Sequence, residues 1–130
     1  MDYGMTVRTD APFADAVGQV RRALTEQGFG VLTEIDVRAT LHAKLGEEME
    51  DYLILGACNP PLAHQALAQD RQIGLLLPCN VVVRTSGGQT VIEALDPMTM
   101  VEVTGQGALE PVATEAASRL RAALASVGRP

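Results

Sequence analysis

The alternation of apolar and polar positions begins at once. Tyr3, Met5 and Val7 lie between Gly4, Thr6 and Arg8, which predicts a half-buried first strand. The period then lengthens. Phe13, Val17, Val20 and Leu24, extended by Ala16 and Ala23, form a helical stripe opposite Asp15, Gln19, Arg22 and Glu26. Asp10 is placed to cap this helix, Pro12 suits its first turn, and Gly28 closes it as a left-handed cap. A second strand is expected over Phe29 to Ile35, with Phe29, Val31 and Ile35 on one face and Leu32 and Glu34 on the other. Asp36 caps a second predicted helix, with Val37, Leu41 and Leu45 inward and Gly46 at its end.

The centre of the chain is denser. Tyr52 to Cys58, YLILGAC, is an unbroken apolar run of strand length, which suits a strand buried on both faces. Asn59 and Pro60 fit the cap and first position of a short helix whose apolar side holds Leu62, Ala63, Ala66 and Leu67. Ile73 to Leu77 reads as the next strand, interrupted at Pro78 and resumed over Asn80 to Val83; a proline there marks a bulge, a bend or an edge. If the strands on either side of the short helix were parallel, the crossover would be right-handed. Ser86-Gly87-Gly88 is a turn signal, and Thr90 to Leu95 is the return strand of a hairpin, broken by Asp96-Pro97. Met98, Met100, Val101 and Val103 form a short apolar segment suited to core cover or an interface. The last helix starts near Glu110-Pro111 and turns Val112, Ala116, Leu120, Ala123, Leu124 and Val127 inward. The order βαβαβαββα predicts a single domain over 1–130: a two-layer α+β fold with a mixed, largely antiparallel sheet and helices packed on one face.

ACNP at 57–60, the helix after it and IGLLLPCNVVV at 73–83 resemble the bacterial and archaeal family called domain of unknown function 302. FGVLTEIDVRATLHAKLG at 29–46 and YLILGA at 52–57 are similar to that family's lead-in. The resemblance implies a compact α+β domain, often a homodimer, and no assigned activity. It also implies a basic residue after the second cysteine, where this chain has Asn80.

Composition narrows the function classes. Apolar residues make up 47% of 130, enough for a core, while aromatics are only 3% and tryptophan is absent. The stacking platforms of single-strand nucleic-acid binders are therefore missing. Net charge is −6 with no basic block, which sets aside nucleic acid and anionic membrane as partners. The acidic run Glu47, Glu48, Glu50 and Asp51 lacks calcium-loop spacing and reads as a solvated loop. No leader-like segment is visible, and the expected compartment is the cytoplasm, where Cys58 and Cys79 would be free thiols.

The candidate chemistry gathers near those two residues. Twenty residues separate them, so this is neither a CxxC redox motif nor a zinc ribbon. Cys58 ends its strand and precedes a helix N-terminus, which favours a thiolate, and Cys79 sits beside the break in the next strand. Buried, inert thiols are the plainer reading. Asn59 and Asn80 each follow a cysteine and could face a polar ligand, although Asn59 also fits a cap. Glu34 beside Asp36 offers a carboxylate pair for acid–base work. His64 could join the cysteines, but both it and His42 read as surface residues. The expectation is a noncatalytic cytoplasmic domain, self-associating as a homodimer, with a small ligand near Cys58, Asn59, Cys79, Asn80 and Glu34. No metal or cofactor is assigned. The alternative is a thiol-dependent metal-binding or redox protein using Cys58 and Cys79. Either reading requires the two sulfur-bearing tips of the sheet to share one rim of the molecule.

Overall fold

The structure, a computed structural model, describes residues 2–130. Five strands form one sheet: β1 (Gly4–Thr9), β2 (Gly30–Asp36), β3 (Tyr52–Cys58), β4 (Cys79–Ser86) and β5 (Gln89–Leu95). The sheet order is β1-β5-β4-β3-β2, and each neighbouring pair is antiparallel. The helices are α1 (Phe13–Glu26), α2 (Val37–Leu45), α3 (Pro60–Gln69), α4 (Met98–Thr104) and α5 (Glu110–Ala125). The α+β order is the expected one, while the strands on either side of α3 run antiparallel and not parallel. Among the described residues no helix is long and apolar enough to cross a membrane.

The register sorts the side chains by face. Leu53, Leu55 and Ala57 of β3 stand opposite Val83, Val81 and Cys79 of β4, and all six belong to the main core. Ile92 and Ala94 of β5 continue that face to Val7 and Met5 of β1. Ala16, Val20, Ala23 and Leu24 of α1 and Leu120, Ala123 and Leu124 of α5 cover it. A smaller core lies beyond the end of the sheet, where Ala66, Ile73, Met100, Leu109, Val112 and Ala113 meet. Tyr52, Ile54 and Val82 alternate with the inward residues and lie on the opposite face, half-buried and outside both cores.

Local expectations depart from the structure at four places. Asp10 does not cap α1: the helix begins after Pro12, and the Asp10 carboxylate instead accepts bonds from Gln89 Nε2 at 3.0 Å and Arg129 Nη2 at 3.5 Å. Ile73 to Leu77 is not strand. Arg71–Leu76 forms a 3₁₀ turn, started by Asp70 Oδ1 accepting from the Gln72 backbone N–H at 3.0 Å, and it buries Ile73 while leaving Leu75 on the surface. A short apolar run is ambiguous by period alone, and here the second core claimed one side of it. β2 is an edge strand with a bulge between Val31 and Thr33, so Leu32 and Ile35 are exposed. Helix α2 sits by that edge, and its expected inward row is only half-buried at Val37 and Leu41 and exposed at Leu45. Its caps follow expectation: Asp36 Oδ1 accepts from the Ala39 N–H, and Gly46 closes the helix at φ 68°.

Candidate functional site

The two cysteines meet at one rim. β3 ends at Cys58, and the connection through α3 and the 3₁₀ turn returns the chain to the same end of the sheet, where β4 starts at Cys79. Ala57 is the ladder partner of Cys79, which puts the Cα atoms of Cys58 and Cys79 about 6 Å apart by antiparallel geometry. The two residues line a single cavity of about 30 Å³ between the sheet end, α3, α4 and α5. Phe29, Leu62, Pro78, Met100 and Val112 complete most of its wall, and Asn59 is the polar side chain in it.

Three local features hold this rim together. Asn59 is 5% exposed, and its Oδ1 accepts from the Leu62 N–H at 3.4 Å as the cap of α3. Its Nδ2 donates to the Gln27 carbonyl at 3.5 Å, which ties the start of α3 to the end of α1; Arg119 of α5 donates to the same carbonyl at 3.4 Å. Gly56, one turn of the pleat before Cys58, has no room for a side chain. A Cβ there would fall on Thr33 Oγ1 and lie 2.9 Å from Pro78 Cγ. Close approach of β2, β3 and Pro78 on the outer face thus depends on this glycine.

The electrostatics of the pair are those of an apolar site. Cys79 is 8% exposed, and burial pushes its thiol up to about 11, with the neighbouring Cys58 adding to the rise. A thiol held this way is mostly protonated at neutral pH and is a poor nucleophile. The cysteines are free.

The other candidates lie elsewhere. Asn80 pairs with Gly56 on the opposite sheet face, is exposed, and lines a shallow groove with Tyr3, Tyr52 and Glu93. Glu34 is an exposed residue of β2, ion-paired with Arg21 of α1. It is four positions from Gly30, the ladder partner of Cys58, or about 13 Å along the strand. His64 is exposed on α3, and His42 pairs with Glu48 at 3.1 Å. Among the described residues no group of three His, Cys, Asp or Glu gathers to hold a metal. The structure therefore brings Cys58, Asn59 and Cys79 together and leaves Asn80 and Glu34 outside. Met100 and Pro78 enter the wall unannounced: the methionine arrives from a helix twenty residues downstream, and no spacing in the chain encodes that approach.

With this geometry in place, comparison with known proteins adds two findings. The family model described as domain of unknown function DUF302 matches residues 5–127. The crystal structure of an uncharacterized conserved DUF302 protein from Bacillus stearothermophilus is similar, with a TM-score of 0.92 and 28% identity. The match covers 98% of this chain and 99% of that one. No curated protein matches the chain.

Proposed function

Because the chain belongs to the family of the domain of unknown function DUF302, whose description carries no activity, we propose its function from its own residues. It is a noncatalytic domain that self-associates and holds one small ligand in the cavity beside Cys58 and Cys79. The observation that carries this reading is the cavity itself: a partly open pocket lined by Cys58, Cys79 and the buried Asn59, between the main core and the smaller one. Noncatalytic function fits a thiol raised by burial with no carboxylate or histidine beside it in the cavity wall. In the cytoplasm both thiols would stay reduced.

Self-association is supported by the sheet face outside both cores, where Tyr52, Ile54 and Val82 are half-buried and Tyr3 is exposed at its margin. A second copy laid on this face would cover it. Sedimentation velocity at micromolar concentration is expected to show a dimer that Ile54→Lys converts to monomer. A wild-type monomer throughout that range refutes self-association. For the ligand, a thermal-shift panel of small metabolites and ions is compared between wild type and Ala63→Phe, which fills the cavity. Compounds that stabilise wild type and not the filled chain are expected, and equal shifts in both refute the pocket.

A further inference from the structure

We propose that a second copy of this chain covers the open face of the sheet with its helix α2, and that the acidic loop after α2 meets an arginine of that face. This names the partner element for the self-association reading above and rests on it. The register sets Ile35 of β2, Ile54 of β3 and Val82 of β4 side by side in one row, and none of the three belongs to either core. Helix α2 has the matching lack. Its nine residues carry Val37, Leu41 and Leu45 at four-residue spacing, yet none of them is buried, and Leu45 is 68% exposed. A helix this short is marginal in water unless an apolar stripe packs against something. The Asp36 cap and the bond from Arg38 Nη1 to Asp51 Oδ1, at 2.9 Å, fix its first turn by the paired ends of β2 and β3. An open apolar row and an open helix stripe are the two halves of one helix-on-sheet layer. Their sizes agree: the stripe is about 12 Å long and the row about 10 Å across three strands.

Charge identifies the occupant as a second copy. On the open face Arg8 of β1 and Arg84 of β4 flank Val91 of β5, the ladder partner of both. Arg84 is paired with Glu93, while Arg8 makes no ion pair among the described residues. The loop after α2 carries the complement. Residues 44–51 hold four acids, Glu47, Glu48, Glu50 and Asp51, against the single base Lys44. His42 holds Glu48 and Arg38 holds Asp51, but Glu47 and Glu50 are exposed and make no ion pair among the described residues. The acids without partners thus adjoin the open helix, and the base without a partner lies on the open face. At a net charge of −6 two copies repel overall, so a stable pair needs local contacts of opposite sign. A two-fold pairing satisfies helix, row and charges twice, because one chain carries both halves. The charges then lie at the rim and set register more than affinity.

The test measures the dimer dissociation constant of the full-length chain by sedimentation velocity over a concentration series. Leu45→Lys, at an exposed position, is expected to weaken the dimer by about 30-fold or more. Arg8→Glu should weaken it by about tenfold, as should Glu47→Lys combined with Glu50→Lys. The chain carrying all three charge reversals should return to within about threefold of wild type, since the attraction is restored with its signs exchanged. The circular dichroism and thermal midpoint of each variant establish that it is folded, and the charge-reversed chains leave the apolar stripe intact. A dimer that Ile54→Lys dissociates, while Leu45→Lys and the charge reversals stay within about threefold of wild type, overturns the proposal and leaves the two sheets pairing without α2. Failure of the triple reversal to recover overturns it as well. A wild-type chain that is monomeric throughout the series removes the self-association reading itself, which separates that failure from this one.

Discussion

Asn59 sits in the cavity wall and also caps α3, and replacing it with alanine separates those roles. In the free protein the substitution removes the bond from the Leu62 N–H to Oδ1, whose loss at a helix start costs about 1 kcal/mol. It also removes the donor to the Gln27 carbonyl, which keeps its bond from Arg119 Nη1, so that loss adds about 0.5 kcal/mol and not a full desolvation penalty. Both bonds are long, 3.4 and 3.5 Å, which places the sum at the lower end, about 1–1.5 kcal/mol. For a chain of 130 residues that lowers the thermal midpoint by about 5 °C. Serine can cap but cannot reach Gln27, so Asn59→Ser should fall between. The assay is chemical denaturation of the ligand-free protein, read by far-ultraviolet circular dichroism because there is no tryptophan. Equal stability of all three chains would refute the structural role and leave Asn59 a ligand contact alone.

Cys79 makes the fold sensitive to alkali. Its thiol ionises near 9.0 when exposed and near 11 when buried, so the folded state holds the proton more tightly. Its contribution is complete below pH 9 and lost as pH rises through 11, a difference of about 2–3 kcal/mol. Cys79→Ala should lack that slope in denaturation series at pH 8, 10 and 11, and a slope equal to wild type's would assign it to other groups. Gly56→Ala should destabilise by about 1–3 kcal/mol through overpacking, and adding Thr33→Ala should recover part of it. Strict additivity in that double-mutant cycle would show that the Thr33 contact is not the cause. Glu34→Gln removes an ion pair between two exposed side chains, so it should change stability by less than about 1 kcal/mol. A larger loss in denaturation would contradict the separation of Glu34 from the cavity.

The chain by itself determined the order of its elements and most of its punctuation. Asp36 and Gly46 bracket α2, Asn59 caps α3, and the Gly87-Gly88 turn joins β4 to β5, because each acts through backbone groups a few residues away. It also placed Cys58 at the end of a strand and Cys79 beside the break at Pro78, where β4 starts. Only tertiary structure decided the rest. Arg71–Leu76 became a turn because Ile73 completes the second core, and the bulge between Val31 and Thr33 turned Ile35 to the face opposite Val31, which keeps its place against the main core. Neighbours along the chain did not become neighbours in the site: Asn80 follows Cys79 yet faces the other side of the sheet, while Met100 joins the cavity from α4. Alternation along a strand assigns adjacent residues to opposite faces, and which face closes over a void depends on helices packed from distant sequence.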